Sequence, residues 1–217
     1  MLLRLVEFYN QAKKTSASSY SPVDFDQVRF PTTKNEDIFE NLTKYRSIWW
    51  ERHVNLEGLD PSVCRNLETR NWLSLCAVSD PPPTALIREF YSNLSIHSDD
   101  SGGHYLTTWI RGEEFQITKK LVSDTLHVPL VRRSTFPYTE SPPIDDVMSL
   151  LYGRLVTWGS KPRINFSEFA EINYIFFRIA CHNIFPISHI HIIPLERCIF
   201  MYALITNGPI CFPSLFI

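Results

Sequence analysis

The stretch NFSEFAEINYIFFRIACHNIF, residues 165–185, is the most apolar part of the chain and decides which class of fold it can adopt. On a helical wheel, its bulky apolar side chains fall on nearly all sides. A helix that is hydrophobic all round is typical of an element buried on most of its faces. The stretch therefore predicts a buried helix, with the apolar side chains of the C-terminal third as core.

The composition also favours a helical fold. The chain has 217 residues, of which 44% are hydrophobic, and this is enough for one globular domain with a sizeable core. Glycine accounts for 7 residues, whereas proline accounts for 15. Because an all-β sandwich needs many tight turns, this composition favours helices joined by proline-bearing loops.

Helix start signals recur along the chain. In NEDIFENLTKYRSIWW, apolar residues recur at helical spacing, which predicts a helix from Glu36 to about Trp50 with Asn35 as its cap. Asp60-Pro61 predicts the start of a short helix. Further helices are expected over DPPPTALIREFYSNL (80–94), TKKLVSDTLHV (118–128), DDVMSLLYGR (145–154) and PLERCIFMYALITNG (194–208).

One segment, HYLTTWIRGEEFQI, has a different period. Tyr105, Thr107 and Trp109 fall on one face of an extended chain, and Gly112 can adopt the positive φ that a tight turn requires. The predicted fold class is therefore mainly α, a multi-helix domain with one small β-hairpin around residues 104–117.

The chain is expected to divide near its N-terminus. Residues 1–28 are predicted to form a helix and a polar linker, and residues 29–217 a single helical domain. The uncharged run Ile199–Ile217 continues past the helix breakers Asn207-Gly208-Pro209, so we expect this domain to be truncated at its C-terminus. Because a membrane-spanning helix needs roughly 20 continuous apolar residues, the same breakers argue against a membrane span.

Charge and cysteine content indicate the environment. The formal net charge is −2, so no bulk attraction to nucleic acid or anionic lipid is expected. The five cysteines are odd in number and widely spaced, as is typical of reduced thiols rather than a disulfide framework. Arg4 and Glu7 break the N-terminal apolar run, which is therefore not a secretory signal. An intracellular location, in the nucleus or cytoplasm, is expected.

Motifs of catalysis are missing from the sequence. It contains no nucleophile elbow, phosphate loop, dinucleotide fingerprint or EF-hand loop. HSDDSGG, residues 97–103, includes the D-[ST]-G pattern of retroelement aspartic proteases. However, that pattern requires an apolar strand before the Asp, so a solvated surface loop is favoured here. We therefore expect neither enzymatic activity nor a cofactor.

CHNIFPISHIHIIPLERC, residues 181–198, has two interpretations. Structural zinc sites usually bring ligands as close pairs such as C-x2-C, and no such pair occurs here. A cysteine inside an apolar helix is more often a small buried hydrophobe. Structural residues are therefore favoured over a metal site. The ligands of the weaker zinc alternative would be Cys181, His182, His189, His191 and Cys198.

A modest basic cluster suggests a second weak alternative, contact with nucleic-acid phosphates. Acidic residues lie between the basic ones and the net charge is negative, so an ordinary solvated surface is favoured. The residues of this alternative are Arg132, Arg133, Lys161 and Arg163.

Three pieces in chain order carry a family resemblance: LIREFY (86–91), IRG (110–112) and the run Arg197–Gly208. With them, the chain from about Arg29 onward resembles the family called putative plant transposon protein domain, a retroelement-derived, gag-like region. A looser likeness to the plant mobile domain lies in the hairpin and the following helix. The resemblance implies an origin in a plant transposon and brings no catalytic residues with it.

The resemblance and the missing catalytic motifs together indicate a role. We expect a non-enzymatic, transposon-derived domain that acts in protein interaction or assembly, with an unknown protein partner or a second copy of itself. A nucleic-acid-binding module of a retroelement protein is the alternative.

Overall fold

The computed structural model describes residues 26–45, 47–48, 50–77, 80–100, 102–157, 164–185 and 193–217. The predicted N-terminal helix lies outside these residues. The described residues form two compact units. The first unit lies within residues 1–48, 79–126 and 213–217, and the second within 49–78 and 127–212.

Helix α1 of the first unit spans Thr33–Asn41, so the predicted bounds, Glu36 to about Trp50, are wrong at both ends. The predicted cap, Asn35, is also wrong, because the N-cap is Thr32, whose hydroxyl accepts the Asn35 N–H at 3.3 Å. The helix ends early because Leu42 and Tyr45, two residues of the apolar pattern, are 52% and 76% exposed and provide little packing.

Helix α4, Thr84–Ser92, follows the triple proline as predicted and begins after Pro83. Leu86, Ile87 and Phe90 are buried, and α4 packs against the central strand of the sheet. Helix α5, Lys119–Leu126, is also confirmed, and the Thr118 hydroxyl accepts the Leu121 N–H at 3.1 Å near its first turn.

The sheet has three antiparallel strands in the order β1-β2-β3, and this confirms a mainly α fold with a small β part. The strands are β1 (Ser95–Ser98), β2 (His104–Ile110) and β3 (Glu113–Ile117). Strands β2 and β3 are the predicted hairpin, and at its turn Arg111 and Gly112 both have positive φ, 52° and 90°.

Strand β1 corrects the prediction of a loop over residues 97–103. Its pattern has one apolar residue, Ile96, which is 76% exposed. The strand exists because its main chain pairs with β2, with Ile96 opposite Leu106. Because this pairing uses the main chain and buries almost no side chain of β1, the strand does not need alternating apolar residues. Its sequence therefore carries no strand pattern.

The two faces of β2 differ in burial. Leu106, Thr108 and Ile110 are buried, whereas Tyr105 and Trp109 on the opposite face are half-buried. The predicted common face of Tyr105 and Trp109 is therefore confirmed, but the core lies on the other side.

In the second unit, the described α-helices are α2 (Pro61–Thr69), α3 (Leu73–Cys76), α6 (Ile144–Tyr152), α7 (Glu171–Ile179) and α8 (Leu195–Ile205). Helix α7 continues into a π-helical turn, Ala180–Ile184, which we call the π-turn. Short 3-10 helices span Leu56–Gly58 and Phe166–Glu168 in this unit and Thr43–Tyr45 in the first unit. A fourth, Phe212–Leu215, begins at the last residue assigned to the second unit. Asp60 caps α2 with Pro61 in its first turn, as predicted. None of the helices in the described part of the chain is long and apolar enough to cross a bilayer.

Helix α7 lies at the centre of the second unit and contacts α2, α6 and α8. Phe176, Phe177 and Ile179 are buried, and the Phe177 ring lies 5.6 Å from the ring of Phe169. The predicted buried helix is therefore confirmed. It is not enclosed on every side, because Ile175 is only half-buried.

We predict that Phe176→Ala lowers the free energy of unfolding by about 3–5 kcal/mol, because the ring is 4% exposed and its removal leaves a cavity. Urea denaturation followed by circular dichroism measures this change. Leu155→Ala is the control: Leu155 is 97% exposed, so a change within about 0.5 kcal/mol is expected. A loss below about 1 kcal/mol for Phe176→Ala would mean that this side of α7 is peripheral.

Candidate functional site

Among the described residues of the first unit, the most strongly buried charge is the carboxylate of Glu89 on α4, whose side chain is fully buried. Its Oε1 accepts the main-chain N–H of Arg111 at 2.8 Å. Its Oε2 lies 3.5 Å from the Nε atoms of both Arg29 and Arg111. One carboxylate thus fixes the turn of the hairpin and the segment before α1 against the same helix.

The segment before α1 is held by further contacts. The Arg29 guanidinium lies 4.9 Å and 4.4 Å from the ring centroids of Phe30 and Phe39. Asn93 donates from Nδ2 to the carbonyls of Arg29 and Trp109, at 2.8 Å and 2.7 Å. These contacts leave the guanidinium partly stacked and partly paired, as expected of a structural arginine.

Burial raises the pKa of Glu89 above its ordinary value. The Arg111 N–H and the positive charges of Arg111 and Arg29 oppose this shift but are the smaller causes. A carboxyl with a raised pKa can serve as a general acid in an enzyme. In this protein both oxygens already face donors of the chain itself, so the geometry fits a structural clamp.

A second polar cluster lies at the C-terminal end of α8. Arg70 donates to the carbonyls of Gly208 at 2.8 Å and Leu204 at 3.2 Å. Asn66 donates from Nδ2 to the same Leu204 carbonyl at 2.8 Å. These donors satisfy carbonyls that have no partner within the helix, and the positive charge suits the negative end of the helix dipole.

An open cleft of about 580 Å³ lies beside the N-terminus of α2. Asp60, one of the two acidic residues that line it, caps α2: its Oδ1 atom accepts the main-chain N–H and the hydroxyl of Ser62, at 2.8 Å and 2.6 Å. These hydrogen bonds lower the pKa of Asp60. The cleft is lined by Gly58, Leu59, Asp60, Glu171, Ile172 and Ile175.

The π-turn contains two residues of the zinc alternative, and α8 contains a third. Cys181 and Cys198 are each 1% exposed. Burial raises the pKa of Cys181 to about 11 and that of Cys198 to about 12, so both thiols are protonated at neutral pH. Since a cysteine binds zinc or attacks a substrate as thiolate, these values favour two buried hydrophobic side chains.

His182 is the half-buried member of this group. Its Nε2 atom is buried without a hydrogen-bond partner among the described residues. Burial, followed by the positive charges of Arg52 and Arg178, lowers its pKa and favours the neutral ring. Within the described ranges, no three His, Cys, Asp or Glu side chains come together as a metal site. His189 and His191 lie outside these ranges, so the zinc alternative remains an untested prediction.

The predicted basic residues are described only in part. Arg132 and Arg133 form a turn and are both exposed. Lys161 and Arg163 lie outside the described residues, so whether the four side chains converge stays a prediction.

The family is decided by comparison of the sequence with known protein families. The model of a family described as putative plant retrotransposon-related domain matches residues 68–217. The chain belongs to this family. The predicted origin in a plant transposon is thereby confirmed. No curated protein and no solved structure matches the chain.

The structure shows how the pieces that carried the family resemblance are used. The piece LIREFY (86–91) lies on α4 and supplies Glu89. The piece IRG (110–112) lies at the hairpin turn and supplies Arg111, which binds the Glu89 carboxylate. The end of the third piece, Gly208, is bound by Arg70. Residues of the retrotransposon-related match therefore bind one another, and these contacts link separate segments of each unit.

Sequence reasoning missed Glu89, Arg70 and Asn66 as organising residues. Asn66 binds the carbonyl of Leu204, and Arg70 binds the carbonyl of Gly208. In both cases the two residues are 138 positions apart in the sequence. No local pattern marks such a contact. The one available signal was a charged residue in the apolar register of α4, Glu89 beside Phe90.

We predict that Glu89 makes the stability of the protein pH-dependent. Because its pKa is raised in the folded state, the folded state binds the proton more tightly, and this group's contribution to stability falls as the pH rises. The difference in free energy of unfolding, wild type minus Glu89→Gln, should therefore grow as the pH is lowered from 7 towards the ordinary carboxyl pKa of 4.5.

Chemical denaturation at several pH values measures this difference. Glu114→Gln is the control, because it removes an exposed carboxylate from the same unit. If the difference in free energy of unfolding shrinks or stays constant as the pH falls, burial does not raise the pKa of Glu89 in the folded protein.

Proposed function

We propose that this retrotransposon-related chain is a non-enzymatic domain that acts in protein interaction or assembly. The observation that carries the proposal concerns its interior. Each of the seven buried polar side chains among the described residues bonds to a main-chain group through at least one atom. They are Asn66, Glu89, Ser92, Asn93, Thr108, Asn173 and Asn183. The Oδ1 atoms of Asn93 and Asn183 are buried without a hydrogen-bond partner among these residues, but the Nδ2 atoms of both side chains hold main-chain carbonyls.

An enzyme keeps buried polar groups available for its substrate, because catalysis needs donors and acceptors in a water-excluded site. In the described interior, each of these seven side chains bonds to the protein's own backbone through at least one atom. This supports a domain whose function lies on its surface.

The surface carries bulky apolar side chains in both units. Tyr45 and Ile96 are each 76% exposed, and Leu155 is 97% exposed. Single exposed apolar residues are ordinary, but such strong exposure of large side chains is relieved when a partner covers them. The proposed role in assembly would cover part of this surface.

We predict that the purified chain self-associates as its concentration rises. Size-exclusion chromatography with light scattering measures the mass, which should exceed the 25.3 kDa of one chain. A mass of 25.3 kDa at every concentration, with no partner bound, would contradict the proposal.

Nucleic-acid binding is a second candidate function, favoured by one observation. Arg132 and Arg133 are adjacent and exposed, and neither forms an ion pair with a carboxylate among the described residues. Unpaired arginines at a turn can reach phosphates, and binding of this kind weakens steeply with salt.

For this candidate we predict salt-sensitive binding of DNA or RNA. R132Q/R133Q should lower the slope of log affinity against log salt by about one for each phosphate that an arginine no longer neutralises. K120Q/R154Q is the matched control: it removes two charges that pair with Asp124 and Glu168 in the structure, and it should keep most of the slope. Binding that is absent, or insensitive to salt, would remove this candidate.

A further inference from the structure

The three-stranded sheet has two outer edges, and they differ in charge. At one edge, β3 carries Glu113 and Glu114, both exposed. At the other edge, β1 has the sequence Ser-Ile-His-Ser, without Asp, Glu, Lys, Arg or Pro. Charged residues and proline are the usual protection of an edge strand against pairing with another strand. Strand β1 lacks this protection, whereas β3 has it.

Among the described residues, β1 pairs with β2 and with no other strand, so one side of its main chain carries no strand. The Asp99 N–H donates to the Gly103 carbonyl at 2.8 Å, which places the N–H of residue 99 on the side of β2. In an antiparallel strand, the N–H and C=O of one residue point to one side, and those of the next residue point to the other side. The register pairs His97 with Tyr105, so the groups of His97 also face β2. The N–H and C=O groups of Ile96 and Ser98 therefore face away from β2.

We propose that β1 pairs antiparallel with β1 of a second copy of this chain. The proposal deepens the assembly role proposed above and rests on it. In the pairing, Ile96 of one copy lies opposite Ser98 of the other, so that the two outward-facing residues of each copy exchange their main-chain hydrogen bonds. A two-fold axis beside His97 relates the copies and joins the two sheets into one.

A second copy fits this edge for two reasons. An antiparallel edge is its own complement under a two-fold axis, so an identical strand satisfies each outward N–H with an outward C=O. Strand β1 contains no Asp, Glu, Lys or Arg to repel its copy, whereas self-pairing of β3 would bring Glu113 and Glu114 of both copies together.

The exposed Ile96 side chain gives the pairing an apolar contribution. It is 76% exposed and lies on the same sheet face as buried Leu106. Pairing of the edges extends that apolar face across the two-fold axis and removes part of Ile96 from water. An uncharged strand offers no attraction to nucleic-acid phosphates, so the observations favour a protein strand as occupant.

The first test compares two substitutions on the full-length chain. Ile96→Lys places a charge on the edge of each copy and should weaken dimerisation about tenfold or more, measured by sedimentation velocity over a range of concentrations. Leu155→Lys introduces the same charge at a side chain that is 97% exposed in the other unit, and it should leave dimerisation unchanged. Circular dichroism checks that both variants are folded.

The second test is amide hydrogen exchange at the wild-type edge. The amides of Ile96 and Ser98 should exchange more slowly as the fraction of dimer rises, because pairing gives their N–H groups a partner. Amides of β3 should not change, since that edge stays open in the proposed dimer.

The outcomes separate this inference from the assembly role. A chain that dimerises with unchanged exchange at Ile96 and Ser98, or with Ile96→Lys as tight as wild type, would overturn the β1 pairing and leave assembly through another surface. Pairing of β1 with a different protein strand, while the chain itself stays monomeric, would also overturn it. A strictly monomeric chain without a partner would overturn both proposals.

Discussion

Main-chain groups that end inside an apolar interior need hydrogen-bond partners, and this requirement organises both units of the protein. A buried donor or acceptor left unpaired costs about 1–3 kcal/mol. At several places in the described residues, a polar side chain supplies the partner. Asn173 donates to the Leu150 carbonyl near the end of α6, and Asn183 of the π-turn donates to the carbonyl of Arg52. In the first unit, Glu89 accepts the N–H of Arg111 at the hairpin turn.

In the described part of the chain, the groups with perturbed ionisation are explained by their structural surroundings. Strongly perturbed pKa values are common in active sites. In this protein, Glu89 has a raised pKa, and the thiols of Cys181 and Cys198 have a pKa of about 11 and about 12. Their neighbours give the physical explanation. The Glu faces two arginines and a main-chain N–H, and the thiols of Cys181 and Cys198 are each 1% exposed, so burial is the main cause of their raised pKa. Structural networks perturb pKa values as effectively as active sites do.

The elements that the sequence predicted well share one property, which is that a local signal coincides with burial. Helix α7 buries Phe176, Phe177 and Ile179 of its apolar stretch, and Asp60-Pro61 begins α2 by capping it. The hairpin turn needs positive φ, and Gly112 supplies it. Where pattern and burial separate, the prediction is wrong. The apolar period that extends through Leu42 lies on an exposed surface, so α1 stops at Asn41.

By itself, the sequence determined the fold class, most of the helix starts, the hairpin and the family, because composition, caps, turn residues and periodicity act over a few neighbouring positions. Only the tertiary structure decided the rest. Strand β1 exists because β2 lies beside it, and Arg70 has a role because Gly208 folds back to meet it. Hydrogen bonds between distant residues depend on how the chain returns to itself in space, and no short stretch of residues encodes that return.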